Sequence, residues 1–148
     1  MAHYMKHSKT AIGHLGKHYE RGKDESSEYV KFGNPEIDPQ RTHLNYNLAP
    51  QHNHMEFIKQ RLSEVYCLNR KDVNVMCSWV VTAPKDLDPK QQDDFFKESY
   101  KFLENRYGKE NVISSYVHLD ETTPHMHFAF IPVAVSYTHL TLPTNSRV

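Results

Sequence analysis

A chain of 148 residues is long enough for one hydrophobic core and too short for several, so it is a single domain or a fragment of one. Eighteen basic residues balance eighteen acidic ones, which rules out bulk charge as the means of holding a polyanion and leaves only a local patch for that purpose. Eleven histidines are the compositional excess to follow, and the start, MAHYMKHSK, has no apolar run to serve as a signal peptide or membrane anchor.

Residues 1 to 23 are locally basic. Lys6, Lys9, Lys17, Arg21 and Lys23 face only Glu20, with His3, His7, His14 and His18 interleaved. A strand near Ala2–His7 and a helix near Thr10–Arg21 are expected, the helix weakened by Gly13 and Gly16. Composition alone reads this stretch equally well as a solvated terminus or as a groove that tracks phosphates. Residues 22 to 40 are loop-like, broken by Gly22, Gly33, Pro35 and Pro39. Arg41–Leu48 (RTHLNYNL) then alternates, which predicts a strand with Thr42, Leu44, Tyr46 and Leu48 on a buried face and His43, Asn45 and Asn47 on a polar one.

An amphipathic helix over residues 55 to 68 places Met55, Ile58, Leu62 and Val65 on one stripe. Residues 72 to 83 read as a strand with Val73, Val75, Cys77, Trp79 and Val81 on one face. A second helix has Asp88 as N-cap, Pro89 at its first position, Gln91 completing a capping box and Gly108 at its end. Its buried stripe is Phe96, Tyr100, Leu103 and Tyr107. The two cysteines, Cys67 and Cys77, lack metal-ligand spacing and read as reduced thiols of a cytosolic protein. Strands mixed with helices and closing on an antiparallel pair predict an α+β fold, with helices packed on one sheet.

That closing pair carries the chemistry. VISSYVHL (112–119) and HMHFAFIP (125–132) are β-branched and aromatic-rich, joined by a polar turn. Side chains two apart in a strand share a face, so His125 and His127 point one way while Met126, Phe128 and Phe130 point the other. If the strands pair as a hairpin, His118 lies across from His125 and three imidazoles converge. Three neutral imidazoles with coordination positions left open are the pattern of a catalytic transition-metal site rather than a closed structural one. Glu121 is placed as a fourth ligand or an outer partner, and Asp120 as a group that orients a histidine. A lone histidine here would be an ordinary polar residue of a hairpin; three on one face beside two acids favour the metal.

H-x-D-E-x-x-P-H-x-H, here HLDETTPHMH, resembles the metal-binding motif of HUH-type relaxases, and its wording is similar to the Mob/Pre (MobV-type) plasmid mobilization proteins. Two further stretches agree. KHYER (17–21) resembles the family's H-x-x-R motif, and NYNL (45–48) resembles its N-Y-[D/E]-L motif, with Asn47 standing where an acid is usual. The resemblance implies an HUH-like fold and a relaxase that nicks single-stranded or supercoiled plasmid origin DNA. It implies His18 as nucleophile, with Arg21 and Glu121 beside it as catalytic residues. His118, His125 and His127 become the metal ligands, and Lys17, Arg21, Lys23 and Asn45 the DNA contacts. Tyr19 is the rival nucleophile, because related relaxases use tyrosine. Neighbours on a helix diverge by roughly 100°, so only one of the pair can face the metal. Mn²⁺ is the expected cofactor by family similarity, with Zn²⁺, Ni²⁺ and Mg²⁺ as alternatives.

Residues 134 to 148 (AVSYTHLTLPTNSRV) do not continue the core pattern and resemble translated sequencing-adapter sequence. The expected organisation is a partial nicking domain over 1–133 followed by a non-native tail. A cytoplasmic bacterial location is expected, and the oligomeric state is open. Two other classes remain: a metal-dependent phosphodiesterase in which water replaces His18, and a non-catalytic DNA-binding fragment.

Overall fold

The computed structural model describes residues 2–8, 19, 37–38, 40–50, 52–65, 74–135 and 140–141, without the side chains of 134, 135, 140 and 141. Five strands build the main sheet: β1 (Ala2–Ser8), β2 (Tyr46–Asn47), β3 (Asn74–Thr82), β4 (Val112–His118) and β5 (His125–Phe130). Their order is β1-β3-β5-β4-β2, and each neighbouring pair is antiparallel. The expected α+β class and the final hairpin are therefore present, with β5 at the centre of the sheet. A separate two-stranded ribbon joins β6 (Ala134–Val135) to β7 (Leu140–Thr141).

The sheet divides the core in two. On one face Met126, Phe128 and Phe130 of β5 pack with Cys77 of β3 and with Phe96 and Leu103 of α2 (Gln92–Tyr107). Full burial of each large apolar side chain of this kind is worth about 2 kcal/mol, so this layer anchors the sheet. Trp79 Nε1–H donates to Tyr107 Oη at 2.9 Å, which satisfies the one polar atom of the indole. The opposite face holds Met76, Ile113, Tyr116, Ala129 and Ile131, covered by Ile58 of α1 (His54–Glu64) and by Tyr19. The two helices thus lie on opposite faces of the sheet.

The caps follow from the residues. The Asn53 side chain accepts from Glu56 N–H to start α1. Asp88 accepts from Lys90 N–H ahead of a short 3₁₀ turn, Pro89–Gln91, that leads into α2. Gly108 ends α2 with φ of +96°, in the region that favours glycine.

Three expectations are corrected. The strand over 41–48 shrinks to Tyr46–Asn47, because Thr42–Leu44 turns as a 3₁₀ helix. Thr42 is buried there through a hydrogen bond to Asp120, while Leu44, expected inside, is exposed. Met55 is also exposed, so the inner stripe of α1 rests on Ile58, Leu62 and Val65. The helix expected over 10–21 falls outside the described residues apart from Tyr19, which is helical.

Candidate metal centre

The register of the hairpin sets the site. His118 pairs with His125 and Tyr116 with His127, so all three histidines share the face opposite α2. Thr82 stands beside His125 and Val80 beside His127 on β3. The ring centroids are 4.8 Å apart for His118–His127 and His125–His127, and 5.4 Å for His118–His125. All three are buried, and one ligand atom from each lies within 4.8 Å of the others.

Two of the rings are oriented by peptide carbonyls. His118 Nε2 lies 2.9 Å from the carbonyl of Tyr19, and His125 Nδ1 lies 2.9 Å from the carbonyl of Thr123. A carbonyl only accepts, so each of these nitrogens carries its proton, and the lone pair sits on His118 Nδ1 and on His125 Nε2. That is the arrangement a metal-ligating imidazole needs: one N–H held by an outer acceptor, the other nitrogen presented as donor. Around one ion with metal–nitrogen bonds of about 2.1 Å, ligand nitrogens stand about 3 to 3.4 Å apart, so the three rings would draw together around a bound ion. The donor set fits a borderline transition metal, since hard Mg²⁺ prefers oxygen.

Glu121 lies with Oε1 3.7 Å from His125 Nε2, on the lone-pair side of that ring and largely buried. It is near enough to act as a further oxygen donor or to hold a proton at the site. Asp120, expected to orient a histidine, is fully buried and takes a hydrogen bond from Thr42 Oγ1 at 2.9 Å. Asn45 is half-buried and accepts Leu119 N–H at 2.7 Å through Oδ1. Asn47 accepts from Ser115 N–H at 2.9 Å and from Ala49 N–H at 3.1 Å.

Tyr19 packs into this face. Its ring centroid is 4.8 Å from that of His127, and it is only 2% exposed. Burial of its hydroxyl pushes its ionisation above the ordinary tyrosine range. Tyr19 thus touches the histidines as core packing, with its hydroxyl enclosed by protein. His18, Lys17, Arg21 and Lys23 lie outside the described residues. Sequence reasoning missed Thr42 and the Tyr19 carbonyl, both far from the histidine motif along the chain. A concavity of about 850 Å³ lies elsewhere, an apolar groove by Trp79, Val81, Leu87, Phe95 and Phe102.

A family model described as plasmid recombination enzyme, Mob_Pre, matches residues 1–137. The chain belongs to the Mob_Pre family. Among its Mob_Pre relatives, a Staphylococcus aureus plasmid recombination enzyme type 1 is 38% identical over 115 residues, covering 72% of this chain and 28% of the relative. A Streptococcus agalactiae plasmid recombination enzyme is 35% identical over 137 residues, 84% of this chain and 26% of the relative. The chain therefore spans less than a third of these curated relatives. A Mn-bound crystal structure of the MobM relaxase domain (MOBV; Mob_Pre) with plasmid pMV158 oriT DNA superposes with a TM-score of 0.77. It is 33% identical, and the match covers 90% of this chain and 70% of that one. The HUH-relaxase-like α+β fold expected from the motifs is the fold of that Mob_Pre domain. No helix among the described residues is long and apolar enough to cross a membrane.

Proposed function

We propose that this chain is part of a Mob_Pre relaxase, nicking single-stranded origin DNA of a plasmid in the bacterial cytoplasm. The observation that carries the reading is the convergence of His118, His125 and His127 on one buried face, with two of the rings already turned to present a nitrogen. These three would hold the metal, with Mn²⁺ favoured because the relaxase domain it resembles is Mn-bound. A bound ion supplies Lewis-acid polarisation of the scissile phosphate and a template for it. Residues 1–133 would form this part of the nicking domain, with 134–148 outside it.

The remaining chemistry belongs to protein side chains. His18, in KHYER, attacks phosphorus with its neutral imidazole nitrogen. An N–P bond forms, the P–O3′ bond breaks, and the 3′ oxygen leaves as a hydroxyl after taking a proton. The 5′ end stays on the imidazole, and the retained bond energy allows the strand to be rejoined. Arg21 holds the phosphate, with Lys17 and Lys23 along the backbone. Glu121, beside His125, moves or holds the proton. The buried Tyr19 hydroxyl supports histidine over tyrosine as nucleophile.

The test is adduct formation on single-stranded origin DNA with the full-length parent protein. His18→Ala should keep metal and DNA affinity and lose the adduct, while Tyr19→Phe keeps it. The adduct should be acid-labile, as phosphoramidates are. An adduct that survives in His18→Ala and disappears in Tyr19→Phe would overturn the assignment, and cutting with no adduct would mean that water is the nucleophile.

A further inference from the structure

Between His118 and His125 the chain leaves the sheet for six residues, and this turn carries Glu121. At its far end Ala83 N–H, just past β3, donates to the Pro124 carbonyl at 3.0 Å, which leaves open what fixes where His118 ends and where Glu121 begins. The described structure supplies three bonds to two consecutive residues from one remote segment. Leu119 N–H donates to Asn45 Oδ1 at 2.7 Å. Thr42 Oγ1–H donates to Asp120 Oδ2 at 2.9 Å, and Asp38 N–H donates to the Asp120 carbonyl at 2.7 Å. The Thr42 hydroxyl has a single proton, and the carboxylate at 2.9 Å takes it over the Asp38 carbonyl at 3.3 Å. Asp120 and Thr42 are both buried, so this contact is made out of water, where a lost partner is costly.

We infer that Thr42 and Asn45 are positioning residues of the metal centre, acting through Asp120 and Leu119 to hold His118 and Glu121 in ligating geometry. This rests on the reading of His118, His125 and His127 as a metal site. The same contacts explain why 42–44 winds into a 3₁₀ turn instead of extending the strand: the turn carries Thr42 inward to the carboxylate. They also give Asn45 a task that needs no DNA. Its Oδ1 is occupied by the peptide next to His118, and its Nδ2 is enclosed by protein. Outer partners of metal ligands are worth roughly 10- to 100-fold in metal affinity.

The experiment titrates Mn²⁺ into the full 148-residue chain and its variants by calorimetry, with a thermal melt of each metal-free protein alongside. Thr42→Val keeps the shape and removes the hydroxyl; it should weaken Mn²⁺ binding by about 10-fold. Thr42→Ser restores the donor and should return the affinity to within about twofold of the unaltered chain, a rescue that a purely volumetric role would not give. Asn45→Asp keeps the acceptor oxygen and should bind normally, whereas Asn45→Ala should bind more weakly. The Asn45 pair carries the test if Thr42→Val fails to fold. Binding that His127→Ala abolishes but that neither Thr42→Val nor Asn45→Ala alters overturns the positioning role alone. Absence of any binding sensitive to His127→Ala overturns the metal reading, and the positioning role with it.

Discussion

Asn47 stands where the family motif has an acid, and the acid position turns out to face backbone amides. Its Oδ1 takes the N–H groups of Ser115 and Ala49, bonds that an amide oxygen and a carboxylate oxygen make alike. The exchange therefore preserves the local hydrogen bonding where β2 meets β4. His7 illustrates a different residue-scale effect on the same face. Its Nε2 sits 3.0 Å from Ser78 Oγ, and burial holds the imidazole below its usual ionisation. The folded state then resists taking the proton that the unfolded chain accepts near pH 6.5, so stability rises with pH in that window and falls as the pH drops below about 6.5. His7→Gln, which can still bond Ser78, should flatten the slope of stability between about pH 5 and 6.5. Urea denaturation at several pH values measures this directly. The comparison is between variant and parent, and equal slopes would refute the assignment.

Among the elements, α2 is closed by a position that only glycine fits well. Gly108 has φ of +96°, and a Cβ there would stand 2.9 Å from Glu110 Oε1 and 3.1 Å from Asn111 Nδ2. The glutamate can swing away. Asn111 cannot move freely, since its Nδ2 donates to the Tyr107 carbonyl and its Oδ1 accepts from Arg61 Nε of α1. Gly108→Ala should therefore cost about 1 to 2 kcal/mol, mostly backbone strain. A thermal melt reads the loss, and Mn²⁺ affinity should not follow it, because the strain lies at the end of β4 away from His118. An unchanged melting temperature would show that the turn relaxes. This same helix was easy to read from sequence, since Asp88, Pro89, the Phe96–Leu103 stripe and Gly108 all act within a few residues of one another. The histidine hairpin was legible for the same reason: a ten-residue motif with period two fixes which side chains share a face. Residues 41–48 were not, because their alternation was overridden by a carboxylate 78 positions away. The Tyr19 carbonyl, 99 positions from His118, leaves no local pattern at all. What escaped the sequence reading were contacts closed only by the assembled sheet.

At the scale of the whole molecule the charge balance constrains how DNA can be held. Eighteen cations against eighteen anions leave no general field to attract a polyanion, so affinity must come from a few placed side chains. On the proposed function those are Lys17, Arg21 and Lys23, beside the metal. Each phosphate neutralised on a single strand releases counterions and contributes about −0.7 to the slope of log K against log salt. Three contacts thus predict a slope of about −2, far shallower than that of a protein gripping DNA over a basic surface. Fluorescence anisotropy with a labelled origin oligonucleotide, at constant Mn²⁺ and increasing monovalent salt, gives the slope. Lys17→Ala and Lys23→Ala should each reduce it by about 0.7, with similar losses on unrelated sequences, because phosphate contacts position the strand without reading it. A measured slope steeper than about −5 would mean that the DNA lies across a much wider surface than this basic segment. A slope near zero would remove the phosphate contacts altogether and leave binding to base stacking or to the metal alone.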